Sequence, residues 1–508
     1  MHTIVSPLVP TAPAPHDEET LDPRDWEELR RLGHRMVDEA LGFLATARER
    51  PAWRPTPPEL HDRFRSPVPL QGAGPEAAYR AFLEDVRPWP LGNIHPRFWG
   101  WVCGTGTPLT ALAAMLSASA NTSGAGFDCA ATLVEEQTVR WLRELLGFPP
   151  GGFGLLVSGG SVANLTALAV ARRVQAEHDV LAEGAAAAPR APVVYASRDT
   201  HGSVRRAVEL LGLGRSALRA IDVDADRRIR VDELERAVRA DRDAGRHPEI
   251  VVGNAGTVTS GAVDDLAALA DLCAREGLWL HVDGCIGAPA WLCAEARPLL
   301  EGLQRADSLS FDLHKWLYMP FSAGCVLLRS EEEARDTFAD GASYLARTQG
   351  GTRGHARWFG DLGIELTRPD RALPVWMSLR EQGSERFGHM IAKNLAQARY
   401  LAQRVSREPE LELLAPAPLN VVTFRYLPRG AAPGARGGAL DELNAALAVR
   451  IQESGVAVPS TAVLDGRLGL RVAITNHRSR MSDFDVFVEA LLALGRELAA
   501  AAPQASEA

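Results

Sequence analysis

Short apolar runs alternate with helical patterns across the middle of the chain, from about residue 97 to residue 385. Each run is long enough for one buried strand, and most are followed by a stretch whose apolar residues recur at helical spacing. The runs are GLLVS at 154–158, APVVYAS at 191–197, EIVVGNAG at 249–256, LWLHVDG at 278–284 and AGCVLLRS at 323–330. This alternation predicts an α/β fold with a mostly parallel central sheet, helices on both faces, and a ligand at the carboxyl ends of the strands.

The segments on either side of this region have different patterns. Before it, a start rich in Pro and Ala is followed by a helical pattern from Asp25 to Arg48 and a second Pro-rich stretch. After it, helices and short apolar runs such as LNVVTFRYL and GLRVAIT are typical of a small α+β domain. We therefore predict an N-terminal helical arm over 1–96, a large domain over 97–385 and a small C-terminal α+β domain over 386–508.

Length, charge and cysteine content exclude several classes of protein. The 508 residues carry a net charge of −9 and no basic patch, which argues against a nucleic-acid partner. No run reaches the about 18 apolar residues of a membrane span, and the N-terminus lacks the features of a signal peptide. The six cysteines include no CxxC pair, as is typical of reduced thiols. We expect a cytoplasmic protein with no membrane or nucleic-acid partner.

Lysine is nearly absent from the chain. Only two of the 55 basic residues are lysine, Lys315 and Lys393, and the others are arginine. An amine can lose its proton and condense with a carbonyl group, whereas a guanidinium cannot. Lys393 lies in a helical pattern and is predicted to be a solvated surface residue. Lys315 lies among apolar and aromatic residues. It is either a nucleophile or a lysine that remains by chance at the end of a helix or strand.

Other polar residues follow the predicted strands of the same region. The turn 158–161 joins a strand to a helix, and it either holds an anion at the helix N-terminus or is only a tight turn. Asp283 ends an apolar strand, where a buried carboxylate needs a cationic partner unless it caps a helix or lies in a loop. His201 follows another strand, and His314 is next to Lys315. An anion cradle, an aromatic ring, a carboxylate and a lysine are the parts that a pyridoxal 5'-phosphate (PLP) site requires.

Longer motifs identify a family resemblance by their order and spacing. They are HPRFWGW (95–101), VSGGSVANL (157–165), NAGTVTSGAVDDL (254–266), LWLHVDG (278–284) and ADSLSFDLHKW (306–316). They resemble the group II PLP-dependent amino-acid decarboxylases, the group of aromatic-amino-acid, histidine and glutamate decarboxylases, over nearly the whole chain. The resemblance implies PLP-dependent transferase fold type I (aspartate-aminotransferase-like). It also implies a homodimer, with the active site at the interface and the N-terminal arm packed across the dimer.

The resemblance further implies a role for each site residue. Lys315 matches the lysine that forms a Schiff base with PLP, and Asp283 matches the aspartate that pairs with the pyridine nitrogen. His201 matches the histidine that stacks on the ring and is assigned proton transfer. We therefore expect Lys315, His201 and Asp283 to be catalytic, and we expect no metal. The positions that match cofactor-binding residues are Gly160, Ser161, His201, Thr257, Asp283, His314 and Lys315.

Two places near the site depart from the family pattern. HVDG is followed by Cys285-Ile286-Gly287, where relatives often have Ala-Tyr-Gly, so we expect Gly284 to leave more room over the ring. Asp312 stands where some relatives have asparagine near the phosphate. A carboxylate there would repel the phosphate unless it is neutralised or turned away.

The family's catalytic loop corresponds to about residues 346–362. In many decarboxylases this loop carries a tyrosine thought to protonate the substrate carbon after CO2 leaves, but this segment has no tyrosine. Phe359 or Trp358 falls near that place, His355 is the ordinary proton donor there, and Tyr344 lies upstream. Relatives with phenylalanine at the tyrosine position can form an aldehyde instead of an amine.

We expect PLP-dependent decarboxylation of an L-amino acid, aromatic or similar, to an amine and CO2. The alternatives are an aldehyde synthase, which couples decarboxylation to oxidative deamination, and a non-catalytic protein of the same fold. Phe98, Trp99 and Trp101 either border a substrate pocket, together with His355 and Phe359, or pack at the dimer interface. No basic residue is clearly committed to a second carboxylate, which favours an aromatic substrate over glutamate.

Overall fold

The computed structural model describes residues 19–339, 351–353 and 357–501. Its contacts form two compact units, one of residues 1–46 and 56–90 and the other of residues 47–55 and 91–508. The first unit is helical, and Asp25 caps its first helix by accepting a hydrogen bond from the backbone N–H of Glu27 at 2.8 Å. Its helices are α1 (Trp26–Ala45), α2 (Pro58–Arg63) and α3 (Pro75–Ala81), with a π-helical turn at Phe82–Val86.

Seven strands form the large sheet of the second unit. They are β1 (Phe153–Val157), β2 (Pro192–Ser197), β3 (Leu218–Ile221), β4 (His247–Asn254), β5 (Trp279–Asp283), β6 (Ser308–Asp312) and β7 (Gly324–Leu328). Their order across the sheet is β1-β7-β6-β5-β4-β2-β3. The neighbours from β6 to β3 pair in parallel, while β7 is antiparallel to both β1 and β6. The predicted mostly parallel sheet is confirmed.

Helices cover both faces of this sheet because its strands are apolar on both sides. In β4, Val251 packs into the cluster on one face, while Ile250 and Val252 pack into the cluster on the other. Such two-sided burial produces the continuous apolar runs seen in the sequence. The helices of this part are α4 (Pro108–Ala120), α5 (Ala130–Leu145), α6 (Gly160–Gln175), α7 (Val180–Glu183), α8 (Gly202–Leu210), α9 (Val231–Asp243), α10 (Leu266–Glu276), α11 (Leu313–Trp316) and α12 (Glu331–Phe338).

A four-stranded antiparallel sheet follows in the C-terminal part of the same unit. Its order is β10-β11-β9-β8, and α13 leads into it with a non-helical residue at Gly383, where φ is 69°. This break lies next to the predicted boundary between 97–385 and 386–508, a division that stays a prediction. The elements are α13 (Ala372–Arg407), β8 (Leu411–Leu413), β9 (Val421–Tyr426), α14 (Gly438–Glu453), β10 (Ser460–Leu464), β11 (Arg467–Ala473) and α15 (Met481–Ala501).

Five strand ends of the large sheet converge on one place. The chain leaves β1, β2, β4, β5 and β6 at their carboxyl ends through the segments that contain the predicted site residues. Parallel strands bring their carboxyl ends to the same edge, so residues far apart in sequence meet there. Within the described ranges, no helix combines the length and apolar character needed to cross a bilayer.

Candidate active site

A glycine turn at the end of β1 opens α6 and forms one end of a cavity. Gly160 is the first residue of α6, and its backbone N–H donates to Asp312 Oδ1 at 2.6 Å. A Cβ atom at Gly160 would collide with Cys285 Sγ and Asp312 Oδ2, so only glycine fits there. Ser161 follows and lines the cavity. The N-terminus of a 16-residue helix, with small residues around it, favours an anion such as a phosphate.

Asp283, at the end of β5, is a buried carboxylate held by hydrogen bonds. Its side chain is 6% exposed and accepts from the backbone N–H of Cys285 at 3.1 Å and from Asn164 Nδ2 at 2.9 Å. Burial alone would raise the pKa of Asp283, but the hydrogen bonds from Cys285 and Asn164 outweigh it and hold the pKa below its ordinary value. The carboxylate is therefore ionised at neutral pH and can pair with a protonated ring nitrogen.

Asn164 connects this carboxylate to the residues around it. Its amide also donates to Ser203 Oγ at 2.9 Å, and its carbonyl lies 3.0 Å from His281 Nε2. Burial lowers the pKa of His281 to about 4, so the ring is neutral and can donate from Nε2. Asn164 is thereby fixed in the orientation that points its N–H groups at Asp283. No sequence pattern marked Asn164 as a site residue beyond its place in the helix after the glycine turn.

Lys315 lies on the short helix α11, which follows β6 directly. Its Nζ atom is 2.7 Å from Asp312 Oδ2, at the last residue of β6. Burial lowers the pKa of Lys315, but the carboxylate of Asp312, helped by Cys285 and Asp283, raises it above its ordinary value. The carboxylate of Asp312 is thus neutralised by an ammonium and by the Gly160 N–H. Asp312 is therefore not a bare carboxylate while Lys315 is a free ammonium.

Two histidines face the same cavity in neutral form. His201 caps α8, with Nδ1 accepting from the backbone N–H of Ser203 at 3.2 Å. Burial lowers the pKa of His201 more than the nearby Asp283 raises it. Burial also lowers the pKa of His314, whose Nδ1 lies 2.8 Å from the carbonyl of Ala323. A neutral imidazole can lie against an aromatic ring without placing a second positive charge beside a pyridinium.

The cavity at these strand ends has a volume of about 470 Å³. This lies in the range of small-molecule and cofactor sites. All seven residues predicted to bind the cofactor line it, although they come from five different strand ends: Gly160, Ser161, His201, Thr257, Asp283, His314 and Lys315. The structure brings these residues together, while the role of each stays a prediction.

The arrangement fits PLP in shape and in charge. The turn of Gly160 and Ser161 lines the cavity at the N-terminus of α6, which suits a phosphate, and the ionised Asp283 suits a pyridinium nitrogen. Lys315 is an amine inside the same cavity, as a covalent link to an aldehyde requires. The donor set therefore agrees with the cofactor that the sequence predicts.

The predicted substrate residues Phe98 and Trp99 do not line the described cavity, and their role stays a prediction. Phe98 is 2% exposed and packs with Ala52 and Val458. Trp99 is 1% exposed and stacks on Phe484 with ring centroids 4.6 Å apart, in the core beside the four-stranded sheet. The sequence could not separate these neighbours, because burial next to a site and contact with a substrate select the same aromatic residues.

Phe359 does not line the described cavity either, and its substrate role stays a prediction. Its side chain is buried in the core cluster behind the sheet, where the guanidinium of Arg368 lies 5.2 Å from the ring centroid. Trp358 is buried as well and meets Phe127 edge to face. His355 and Tyr344 lie outside the described residues, so their predicted roles are not placed.

Four cavity residues form a wall apart from the predicted cofactor residues, and Trp101 was predicted to border a substrate pocket whereas the other three were not. Trp101, Val102 and Ile286 form an apolar wall beside Lys315, and Val102 and Ile286 belong to one packed cluster. Arg471, on β11, lines the same wall and donates to the carbonyl of Trp101. Burial lowers the pKa of Arg471 to about 10, so it remains a cation at neutral pH. It lies more than 150 residues from Lys315 in sequence, and only the fold reveals its position.

Two further expectations are corrected. A Cβ atom at Gly284 would meet Ala288 and Leu309, so this glycine frees space in the protein interior and not over the ring. Lys393 is half-buried and donates to the carbonyl of His477 at 2.7 Å, so it is not a solvated surface residue. Lys393 therefore has a structural hydrogen bond of its own.

Comparisons with known proteins agree with the geometry. Residues 93–427 match the family described as "Pyridoxal-dependent decarboxylase conserved domain". The chain is 34% identical to an aromatic-L-amino-acid decarboxylase of Bacillus atrophaeus, over 95% of this chain and 98% of the relative. It is 32% identical to an L-2,4-diaminobutyrate decarboxylase of Rhizobium meliloti, over 85% and 84%.

A solved structure gives the same result for the fold. The crystal structure of Oryza sativa TDC with PLP and tryptamine superposes with a TM-score of 0.86 at 26% identity, covering 94% of this chain and all of that one. The PLP-dependent fold type I expected from the sequence is confirmed.

We predict that Gly160→Ala lowers PLP affinity by about tenfold or more, because the added methyl group collides with Cys285 and Asp312 at the cradle. Gly202→Ala is the matched control, since Gly202 also begins a helix but has open space around its Cβ position. Titration of each folded apoenzyme with PLP measures the affinity. Wild-type affinity in Gly160→Ala would show that the turn does not hold the cofactor.

Proposed function

Because this chain belongs to the pyridoxal-dependent decarboxylase family, and is therefore a carboxy-lyase that acts on an amino acid with PLP, we propose that its substrate is an aromatic amino acid. The products are the corresponding amine and CO2. The observation that carries the proposal is the apolar wall of Trp101, Val102 and Ile286 beside Lys315. A flat apolar side chain gains most from such a wall. Sequence identity to an aromatic-L-amino-acid decarboxylase supports the same choice.

Each residue of the cavity has a separate role in the proposed reaction. When bound, PLP supplies an electron-accepting ring that stabilises the negative charge left on the substrate's Cα as CO2 departs. Lys315 holds the cofactor, and Asp283 keeps the ring nitrogen protonated so that the ring accepts electrons. His201 covers the ring face and excludes water from it. Gly160 and Ser161 hold the phosphate.

Arg471 gives the cavity a cation for the substrate's carboxylate. Its guanidinium donates to the carbonyl of Trp101 and lies 3.5 Å from Ser460 Oγ. Within the described part of the chain, its Nε atom is buried without a hydrogen-bond partner. A buried cation beside an apolar wall attracts the anionic end of an amino acid whose other end is apolar.

The second candidate function is aldehyde formation by decarboxylation with oxidative deamination. The observation that favours it is the segment 346–362, which contains no tyrosine, while Trp358 and Phe359 at its end are buried. A carbon that is not protonated promptly can react with oxygen instead. The remaining alternative, a non-catalytic protein, is overturned by the family membership, which indicates a carboxy-lyase.

An assay of CO2 release over the proteinogenic amino acids, with ornithine and 2,4-diaminobutyrate, tests both choices. We expect tryptophan, tyrosine, phenylalanine or dihydroxyphenylalanine to react fastest, with one amine formed for each CO2. Ammonia and hydrogen peroxide in equal amounts would favour the aldehyde route. A preference for a basic or acidic amino acid would contradict the aromatic proposal.

We propose that the protein acts as a homodimer in the cytoplasm. Exposed apolar side chains lie on α4 and on the loop after α11, among them Met115, Leu116 and Phe321. The ring of Phe321 lies 4.7 Å from that of His314, so this surface begins beside the cavity. Burial of such a surface against a second copy is favourable. The six free cysteines support a reducing compartment.

Sedimentation velocity tests the dimer. We expect the wild-type protein to sediment as a dimer and Leu116→Glu to shift toward monomer, because a buried carboxylate without a partner opposes association. Leu210→Glu is the control, since Leu210 is an exposed leucine on α8 and outside this surface. A monomeric wild-type protein would contradict the proposal.

A further inference from the structure

A buried arginine outside the cavity joins three parts of the second unit. Arg227 lies in the loop between β3 and α9, and its side chain is 8% exposed. Its Nε and Nη2 atoms donate to Asp199 at 2.9 and 2.8 Å. Its Nη1 atom donates to both oxygens of Asp465 at 2.8 and 2.9 Å. One guanidinium thus pairs with two carboxylates from distant parts of the chain.

The backbone on both sides of this contact is in an unusual conformation. Arg227 has φ 66° and Asp465 has φ 50°, in the left-handed region that few residues other than glycine adopt. An Asx turn sets the first of these, since Asp224 Oδ1 accepts from the backbone N–H groups of Asp226 and Arg228. Such outliers persist only where the surrounding contacts determine them. The second belongs to the two-residue turn Asp465-Gly466 of the β10–β11 hairpin, so local turns hold both partners of the ion bridge in place.

The Asp199 end of the contact leads to the cavity. Asp199 is two residues before His201, the predicted ring-stacking histidine. A second connection runs in parallel, from the backbone N–H of Ile229 to Asp264 Oδ1 at 2.7 Å. Asp264 Oδ2 accepts from Asn254 Nδ2 at 2.9 Å, and the same amide donates to Thr200 Oγ1 at 3.0 Å. The loop of Arg227 therefore holds both residues that precede His201.

The Asp465 end leads to the opposite wall. Asp465 lies in the turn between β10 and β11, and β11 carries Arg471 into the cavity. Arg471 in turn donates to the carbonyl of Trp101. Arg198 also pairs with Asp465 at 3.2 Å, but its side chain is 42% exposed, so solvent weakens that contact. Arg227 is the buried link between the His201 turn and the β10–β11 hairpin.

We propose that Arg227 is a positioning residue, which fixes the His201 turn and the β10–β11 hairpin relative to each other across the cavity. The proposal builds on the PLP site of the proposed function but not on the identity of the substrate. Catalysis is sensitive to small displacements of the groups around the reacting atoms, so a contact far from the chemistry can control it. A bidentate arginine is suited to this task because its planar fork fixes orientation as well as distance.

The variant Arg227→Gly tests the proposal, because glycine keeps the left-handed turn while removing both bridges. We expect amide hydrogen exchange of the apoenzyme to become about tenfold faster in segments 197–203 and 460–471. In the holoenzyme, kcat falls about tenfold with a smaller change in KM, and the visible circular dichroism of the bound cofactor changes. Arg227→Lys keeps the charge without the double fork. Its exchange rate, kcat and visible circular dichroism should therefore lie between those of the wild type and those of Arg227→Gly.

Arg228→Ala is the matched control, since Arg228 is the next residue and its 47% exposed side chain pairs only with Asp224 and Asp226. We expect it to match the wild type in every readout. If Arg227→Gly does not fold, Asp465→Asn gives the same test from the more exposed partner. Where both single variants fold, the double variant should be no worse than Arg227→Gly, because Arg227→Gly has already removed the bridge to Asp465.

Wild-type exchange in both segments of folded Arg227→Gly would overturn the proposal. So would a lower melting temperature with unchanged kcat and unchanged visible circular dichroism, which is the result of a purely stabilising ion pair. The exchange measurement needs neither substrate nor cofactor. A failed aromatic preference with faster exchange would therefore contradict the proposed substrate and leave the role of Arg227 intact.

Discussion

The pairing of Lys315 with Asp312 is the interaction on which the site depends. An ammonium inside the protein needs a carboxylate within contact distance, and Asp312 Oδ2 lies 2.7 Å from Nζ. The other oxygen of Asp312 binds the first N–H of α6, where a phosphate is expected. One carboxylate thereby fixes the lysine relative to the phosphate turn. Asp312 is the last residue of β6, and Lys315 lies on α11, which begins at the next residue. The short distance between the two side chains follows from this direct connection of strand and helix.

Around this pair the cavity has two chemically different sides. Polar groups from strand ends, including Gly160, His201 and Asp283, form the side that suits a charged cofactor. Trp101 and Ile286 form an apolar side with the single cation of Arg471. The polar side uses features shared by parallel sheets, namely helix N-termini and strand ends. The apolar side is built by the loop of Trp101, by the segment after β5 and by β11 of the four-stranded sheet.

The sequence was sufficient to predict a mostly parallel sheet and to name seven residues that line one cavity at its strand ends. Buried strands appear as apolar runs, and the turns after them carry polar residues whose chemistry is recognisable, as at Asp283 and His201. β6 went unpredicted because serines at 308 and 310 interrupt its apolar pattern. The sequence could not tell which of Phe98, Trp99 and Trp101 lines the cavity, because the direction of the loop decides which aromatic residue faces it. Arg471 could not be placed, since no local pattern reports which distant strand reaches the site.

The central claim is a covalent link between PLP and Lys315, and the near absence of lysine makes it easy to test. Borohydride reduction of the holoenzyme, followed by peptide mapping, locates the fixed cofactor. The account predicts a pyridoxyl adduct on the peptide that contains Lys315. Lys393, which donates to a backbone carbonyl elsewhere, should remain unmodified. An adduct on Lys393, or no adduct on either lysine, would contradict the account.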